Sequence, residues 1–376
     1  MNEFETLTGL VSRYSPSGQE REAAEWLVGR MKTLGYTDAF VDGAGNAVGV
    51  MGAGARQVVL LGHIDTVAGE IELRVANSAS DFPPASQDGQ PIAPNVKPSS
   101  SKVLYGRGAV DAKGPLACFV DAVAQVGAVD GWQFVVIGAV EEERDSDGAR
   151  FAADRYQPDF AIIGEPNQWD RITLGYKGSA WVKVTVRREQ THTASGEQTA
   201  AEAAVDAWLQ IKSFVDAFNA DKQTLFGKLL PTLRGMESGQ DGFAQWARLT
   251  VGVRLPLEVS PDEWYSNLKA LLNASDDDGV QVEPAGFPVP AWRGEKNNRL
   301  VRAFLSSIRS QGGEPRFVYK TGTADVNIVA PVWQCPAVVY GPGDSALDHT
   351  PHEHIDLEDY RRAVNVLAAA LSALTD

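Results

Sequence analysis

The sequence predicts an α/β fold with a small α+β domain inserted in it, and three observations carry that prediction. Apolar runs of strand length, Val58–Leu61, Phe134–Val140 and Phe160–Ile163, each end in a polar cluster. Such runs suit strands buried on both faces by helices. From about Gly178 the texture changes to strict alternation, and it changes back after Pro288-Val289-Pro290. Finally, 376 residues are too many for one ordinary core, which fits two domains with one interrupting the other.

Each element has a local reason. Phe4, Leu7, Leu10 and Val11 keep helical spacing up to the break at Pro16. Ser17 and Glu20 then make a capping-box pattern, Ala24, Leu27, Val28, Met31 and Leu34 share one face, and Gly35 stops the helix. The three apolar runs lead to Gly62-His63, to Glu141 and to Gly164-Glu165, with a helix over Gly114–Val126 between the first two. The stretch Ala76–Ser101, rich in Pro, Ser, Ala and Asp, reads as a long mobile loop. Trp181–Val186 and Arg248–Arg254 alternate like half-buried strands, Ala200–Phe214 and Pro261–Leu272 are helical, and Gly279–Glu283 is extended. A helix over Asn298–Arg309 and a strand near Ala337–Tyr340 resume the α/β texture. The domain boundaries therefore read as 1–177, 178–288 and 289–376.

Charge narrows the function. Against 34 Lys and Arg stand 49 Asp and Glu, a net −15, which argues against a general nucleic-acid or anionic-membrane binder, since both need a basic face. No run approaches the roughly 20 apolar residues of a membrane span, and no signal-peptide pattern opens the chain. No nucleic-acid or membrane partner is expected. Cys118 and Cys335 sit in apolar surroundings and read as buried free thiols, which fits a reducing cytoplasm.

Imidazole and carboxylate groups cluster just past the apolar runs: His63 with Asp65, Glu142-Glu143, and Glu165. The carboxyl ends of strands in an open α/β sheet form its ligand-binding edge. Asp111, in Gly106-Arg-Gly-Ala-Val-Asp-Ala-Lys-Gly114, and His349, in His349-Thr-Pro-His-Glu-His-Ile355, extend the set. Mixed nitrogen and oxygen donors suit Zn²⁺, with Co²⁺ or Mn²⁺ as substitutes, better than Mg²⁺. One carboxylate bridging two ions would make a two-metal hydrolytic site. Taken singly, each piece has a plain structural reading: a hydrogen-bonded His–Asp pair, a solvated run of acids, a turn.

Together with Gly62-His-Ile-Asp-Thr-Val67, Glu142-Glu143 followed by Gly148, and Gly164-Glu-Pro166, these stretches resemble the di-zinc aminoacylase/carboxypeptidase family. That family includes acetylornithine deacetylase, succinyl-diaminopimelate desuccinylase and glutamate carboxypeptidase. The resemblance implies a mixed-sheet metallohydrolase catalytic domain with an inserted lid and dimerisation domain. It implies that His63 and Glu165 hold one Zn²⁺, that Glu143 and His349 hold the other, and that Asp111 bridges them. Glu142 would be the general base, its register set by Gly148, and Asp65 would orient the His63 ring. A cis peptide would follow Asp111. His192, in Gln190-Thr-His-Thr-Ala-Ser195, matches a lid histidine that reaches the partner's site, so the working unit would be a homodimer. Its surroundings depart from the family at Arg188 and Thr193-Ala194.

Leu174-Gly-Tyr-Lys-Gly178 and Thr321-Gly-Thr-Ala-Asp-Val-Asn327 are similar to the branch that releases lysine or ornithine in lysine and arginine biosynthesis. That branch cuts the amide to the C-terminal Glu side chain of an acidic amino-group carrier protein. Arg254, Gly322 and Thr323 would contact substrate, and Asp325 is one candidate for the substrate ammonium. An acidic carrier would need a local basic cluster here, with Arg187-Arg188, Lys177 and Lys183 as candidates. Two alternatives stay open. One is an N-acetyl-ornithine or N-acetyl-lysine deacetylase, or a dipeptidase, with the same mechanism. The other is a family member that binds an amino acid or a partner without catalysis.

Overall fold

The computed structural model describes residues 3–77, 102–274 and 279–376. The loop expected over Ala76–Ser101 lies outside the described residues except at its two first positions, of which Ala76 closes a strand. The chain divides into two compact units. The first comprises 1–174, 294–318 and 324–376, and the second comprises 175–293 and 319–323.

The first unit begins with α1 (Glu5–Val11), α2 (Arg21–Thr33), β1 (Asp38–Val41), β2 (Ala47–Gly52) and β3 (Arg56–His63). Next come β4 (Arg74–Ala76), β5 (Val103–Tyr105), α3 (Lys113–Val126), β6 (Trp132–Ala139), α4 (Asp147–Ala153), β7 (Phe160–Gly164) and β8 (Arg171–Tyr176). The second unit holds β9 (Gly178–Glu189), α5 (Ala200–Asn219), β10 (Leu230–Gln240), β11 (Ala244–Leu255), α6 (Pro261–Leu271), β12 (Val280–Val289) and β13 (Trp292–Arg293). The chain then continues through α7 (Arg299–Ser310), β14 (Arg316–Lys320), α8 (Val326–Trp333), β15 (Ala337–Tyr340), β16 (His354–Asp356) and α9 (Leu357–Thr375).

The main sheet has nine strands in the order β1-β2-β6-β3-β7-β15-β8-β13, with β14 also paired to β8. Strands β6, β3, β7 and β15 are parallel to their neighbours within that group, while β1, β2 and β8 pair antiparallel, so the sheet is mixed. Val58 to Leu61 are buried on both faces, as their unbroken apolar run requires. Helix α3 is buried along most of its length, and Pro115 is tolerated because it stands in the first turn, where no intrahelical N–H bond is lost. A second, three-stranded sheet runs β16-β5-β4, pairing His354 with Tyr105 and Ile355 with Leu104. It ties the late histidine-rich segment to the start of the loop that carries Asp111.

In the second unit four antiparallel strands run β10-β11-β9-β12. Val182, Val184 and Val186 of β9 join Leu249, Val251 and Val253 of β11 in one core with Ile211 of α5 and Trp264 and Leu268 of α6. Both helices start on capping boxes, Thr199 with Glu202 and Ser260 with Glu263.

Four expectations need correction. Ser17 does not cap α2: its hydroxyl donates to Asp65 Oδ2 at 2.7 Å, and Glu20 accepts from Gly18 N at 2.7 Å. Strand β10 was missing from the expected strand–helix–strand–helix–strand order. It is an edge strand, largely exposed and interrupted by Pro231 and two glycines, so it shows no period-two burial. Cys335 is a free thiol but only half-buried, whereas Cys118 is buried. Lys177 is not a surface cation: it is buried, and its ammonium donates to the carbonyls of Leu225, Phe226 and Lys228. No helix among the described residues is long and apolar enough to cross a membrane.

Candidate metal centre

Parallel strands β3, β6 and β7 bring their carboxyl ends to one edge of the sheet, which is where an open α/β sheet binds ligands. His63 is the last residue of β3, Glu142 and Glu143 follow β6, and Glu165 follows β7. Asp111 comes from the loop between β5 and α3, and His349 from the loop before β16.

Two imidazoles converge on one carboxylate. His63 Nε2 lies 3.1 Å from Asp111 Oδ1, and His349 Nε2 lies 3.0 Å from Asp111 Oδ2. His349 Nε2 is also 2.8 Å from Glu143 Oε1. Donor atoms of His63, Asp111 and Glu165 all fall within 4.8 Å of one another, and so do those of Asp111, Glu143 and His349. The two triads share Asp111. A third grouping, His63 with Glu142 and Glu143, sets Glu142 beside both. The Asp111–Ala112 peptide is cis, as the resemblance implied.

The supporting contacts are partly local and partly long-range. His63 Nδ1 is 3.0 Å from the main-chain carbonyl of Asp65 and 3.4 Å from its Oδ1. A carbonyl only accepts, so Nδ1 is assigned the hydrogen and Nε2 faces Asp111. The Asp65 main chain is thus the nearer partner of the ring and its side chain the farther one. That side chain has further work: it accepts from the amides of Glu142 and Glu143 at 3.1 Å each, and from Ser17. Gly148 has a steric reason. Asn46 accepts from Val140 N at 3.0 Å and donates to Gly148 O at 3.1 Å, so a Cβ at 148 would meet Asn46 Oδ1 at 2.3 Å.

Charge in the site is unbalanced. Burial raises Glu142 well above the usual carboxylate range, and the charges of Glu165, Asp325 and Glu143 add to it against the pull of His63. Burial raises Glu165 in the same way, with Asp111 adding to it. Asp325, at the start of α8, is buried and pushed up to about 7 chiefly by that burial. Hydrogen bonds to Asp111 and Glu143 push His349 up to about 10. Burial favours neutral His63, yet its bonds to Asp111 and Asp65 outweigh this and lift it well above normal. Protons on these rings stand where positive charge is wanted. Two imidazoles and a set of carboxylates around a shared Asp therefore fit a pair of divalent ions in donor type and in charge.

Of the remaining expected site residues, Arg254 and Thr323 meet within the second unit, where Arg254 Nη1 donates to Thr323 Oγ1 at 2.8 Å. Gly322 stands next to Thr323, with open space where a Cβ would sit. Arg254, Arg234, Trp181 and Thr232 line a cavity of about 110 Å³. His192 is exposed in the same unit, and its Nδ1 accepts from Ala194 N at 3.1 Å. Sequence reasoning missed the anchoring roles of Ser17, Asn46 and Glu353, because the partner of each lies far away in the chain: the Asp65 carboxylate for Ser17, backbone groups for the other two. Only the fixed spacing of Gly148 hinted at one of them.

Comparison with known proteins gives the family and the fold. The profile of Peptidase family M20/M25/M40 matches residues 59–373. A "[LysW]-lysine hydrolase" of Deinococcus radiodurans is 41% identical over 376 residues, covering 98% of this chain and 96% of that protein. A "Putative [LysW]-lysine/[LysW]-ornithine hydrolase" of Thermococcus kodakarensis is 36% identical, covering 98% and 91%. In fold, the chain is similar to an M20 family metallo-carboxypeptidase from Sulfolobus solfataricus, with a TM-score of 0.72 and 18% identity over 100% of both chains. It is also similar to a dinuclear metal binding peptidase of Bacillus subtilis, with a TM-score of 0.67 and 14% identity over 99% and 98%. The chain belongs to the M20/M25/M40 peptidase family and shares its metallohydrolase fold.

Proposed function

We propose that this protein is a two-metal amide hydrolase that releases lysine or ornithine from the C-terminal Glu side chain of an amino-group carrier protein. The convergence of His63 and His349 on the two oxygens of Asp111 carries the hydrolase reading. The activities for which the two relatives are named support the substrate. His63 and Glu165 would hold one Zn²⁺, Glu143 and His349 the other, and Asp111 would bridge them, with Co²⁺ or Mn²⁺ as substitutes.

When bound, such ions polarise an amide carbonyl and make water acidic enough to deprotonate near neutral pH. Glu142 accepts the proton of the attacking water and passes it to the leaving α-amino nitrogen, a shuttle worth roughly 10²–10⁴-fold. Its buried position among other acids raises its affinity for that proton. Asp65 fixes both partners of this step, holding the His63 ring through its carbonyl and the Glu142-Glu143 backbone through its carboxylate. His192 donates to the developing oxyanion from the partner of a homodimer in which the second unit serves as lid and dimerisation domain. Arg254, with Gly322 and Thr323 beside it, grips a substrate carboxylate, a geometry to which guanidinium is suited. The setting is the cytoplasm, and the carrier is an acidic protein.

The test is release of free amino acid by the zinc- or cobalt-loaded protein from carrier-linked lysine and ornithine, N-acetyl-lysine and N-acetyl-ornithine. Preferential release from the carrier supports the proposal. Preference for the acetyl compounds moves the enzyme to the deacetylases and leaves the mechanism standing. Silence on all substrates with two metals bound rejects the substrate.

A further inference from the structure

Glu353 belongs to none of the roles above, yet it is fully buried beside the bridging loop. Its Oε1 accepts from Val110 N at 2.9 Å and from Asp111 N at 3.0 Å. Its Oε2 accepts from Arg107 Nη1 at 2.9 Å, and its main-chain carbonyl accepts from Gly106 N at 3.3 Å. Arg107 is in turn fixed by donating from Nε to Gly69 O at 2.8 Å. The next residue, His354, pairs with Tyr105 across β16 and β5. One short segment therefore holds Asp111 at both ends. His349 meets its carboxylate, and Glu353, four residues on, clamps its backbone amide.

A buried ion pair is a poor stabiliser, since desolvation offsets most of its Coulomb attraction. The Glu353–Arg107 pair is better understood by what it holds in place. We infer that Glu353 is a positioning residue for the metal pair, fixing the backbone of Asp111 so that both of its carboxylate oxygens face their separate imidazoles at once. This inference rests on the ligand assignment proposed above but not on the choice of substrate. A first ion needs one oxygen of Asp111 and tolerates some rotation of the side chain. The second ion needs the other oxygen at the same time, so a loosened backbone weakens the second binding event more.

Glu353→Gln and Glu353→Asp test this. In the first, whichever way the carboxamide turns, its NH₂ group meets either the two backbone amides or the Arg107 guanidinium. The second draws the carboxylate back by one carbon. Metal-free wild type and variants are titrated with Co²⁺, followed by calorimetry and by the visible absorption of the bound ion. The wild type is expected to take two ions per chain. In both variants the second ion should bind about 10–100-fold more weakly, the range seen when groups supporting metal ligands are removed. The spectrum of that ion should change, and kcat should recover with excess Co²⁺ while KM stays near the wild-type value. Wild-type affinities for both ions in the folded variants overturn the inference. So does failure of both variants to reach the wild-type far-UV circular dichroism, because Glu353 would then be holding the fold. A wild-type chain that takes up fewer than two ions overturns the ligand assignment itself, and the role of Glu353 with it.

Discussion

Replacing Asp65 by Asn separates charge from shape at the centre of the site. The carboxylate is fully buried, takes the Glu142 amide on Oδ1, and takes the Glu143 amide and the Ser17 hydroxyl on Oδ2. An amide side chain keeps one oxygen and turns the other into a donor. If Nδ2 takes the place of Oδ1, the Glu142 amide faces a donor; if it takes the place of Oδ2, the Glu143 amide does, while Ser17 simply turns to accept. One buried N–H is orphaned in either case, at a cost of ~1–3 kcal/mol. The surviving bonds lose their charge assistance, which adds roughly 1 kcal/mol. A local weakening of ~2–4 kcal/mol corresponds to hydrogen exchange about 30–1,000-fold faster, since each 1.4 kcal/mol is tenfold. The assay is hydrogen–deuterium exchange on the peptide containing Glu142 and Glu143, with Co²⁺ affinity measured on the same sample. Affinity should fall by about 10–100-fold. Exchange within threefold of the wild type, together with unchanged metal affinity, would refute the anchoring argument.

Three more predictions concern Glu142, His192 and Asp359. Glu142→Ala should bind two ions with wild-type affinity and lose at least ~10²-fold in kcat; retained turnover removes it as the general base. His192→Ala should keep its metals and lose about 10²-fold or more in kcat, as the loss of an oxyanion donor does; an unchanged rate takes His192 out of the mechanism. Burial pushes Asp359 up to about 6 from an ordinary 3.8, although Gly343 N and Trp169 N both donate to it. The folded state therefore holds that proton more tightly than the unfolded chain. Stability relative to Asp359→Asn should fall as pH rises from about 4 to about 6, by up to ~3 kcal/mol. Urea unfolding of both proteins at pH 4 and pH 7 measures this, and a wild-type stability that rises relative to the variant between the two pH values contradicts it.

The candidate ligands at the strand ends were legible because they stand just past apolar runs, whereas Asp111 and His349 were picked out through the motifs around them. His63 and Glu165 end or follow apolar runs that suit buried strands, and Glu142-Glu143 stand just past another. Strand β10 was not legible, because an edge strand with a solvated face needs no alternation. The Ser17–Glu20 spacing was a true capping pattern, yet Asp65, 48 residues away, offered the Ser17 hydroxyl a buried anionic acceptor instead. Lys177 was a candidate for a local basic cluster, but three backbone carbonyls draw it inside.

The sequence by itself determined the mixed α/β texture, the inserted α+β unit and the residues able to ligate metal, since periodicity and residue chemistry are properties of the chain. The tertiary structure alone decided how those residues are held. Asp65 reaches amides 77 and 78 residues away, and Glu353 reaches amides 243 and 242 residues away. A backbone N–H is the same at every position along the chain, so a side chain that seeks one leaves no mark in the sequence of the segment it holds.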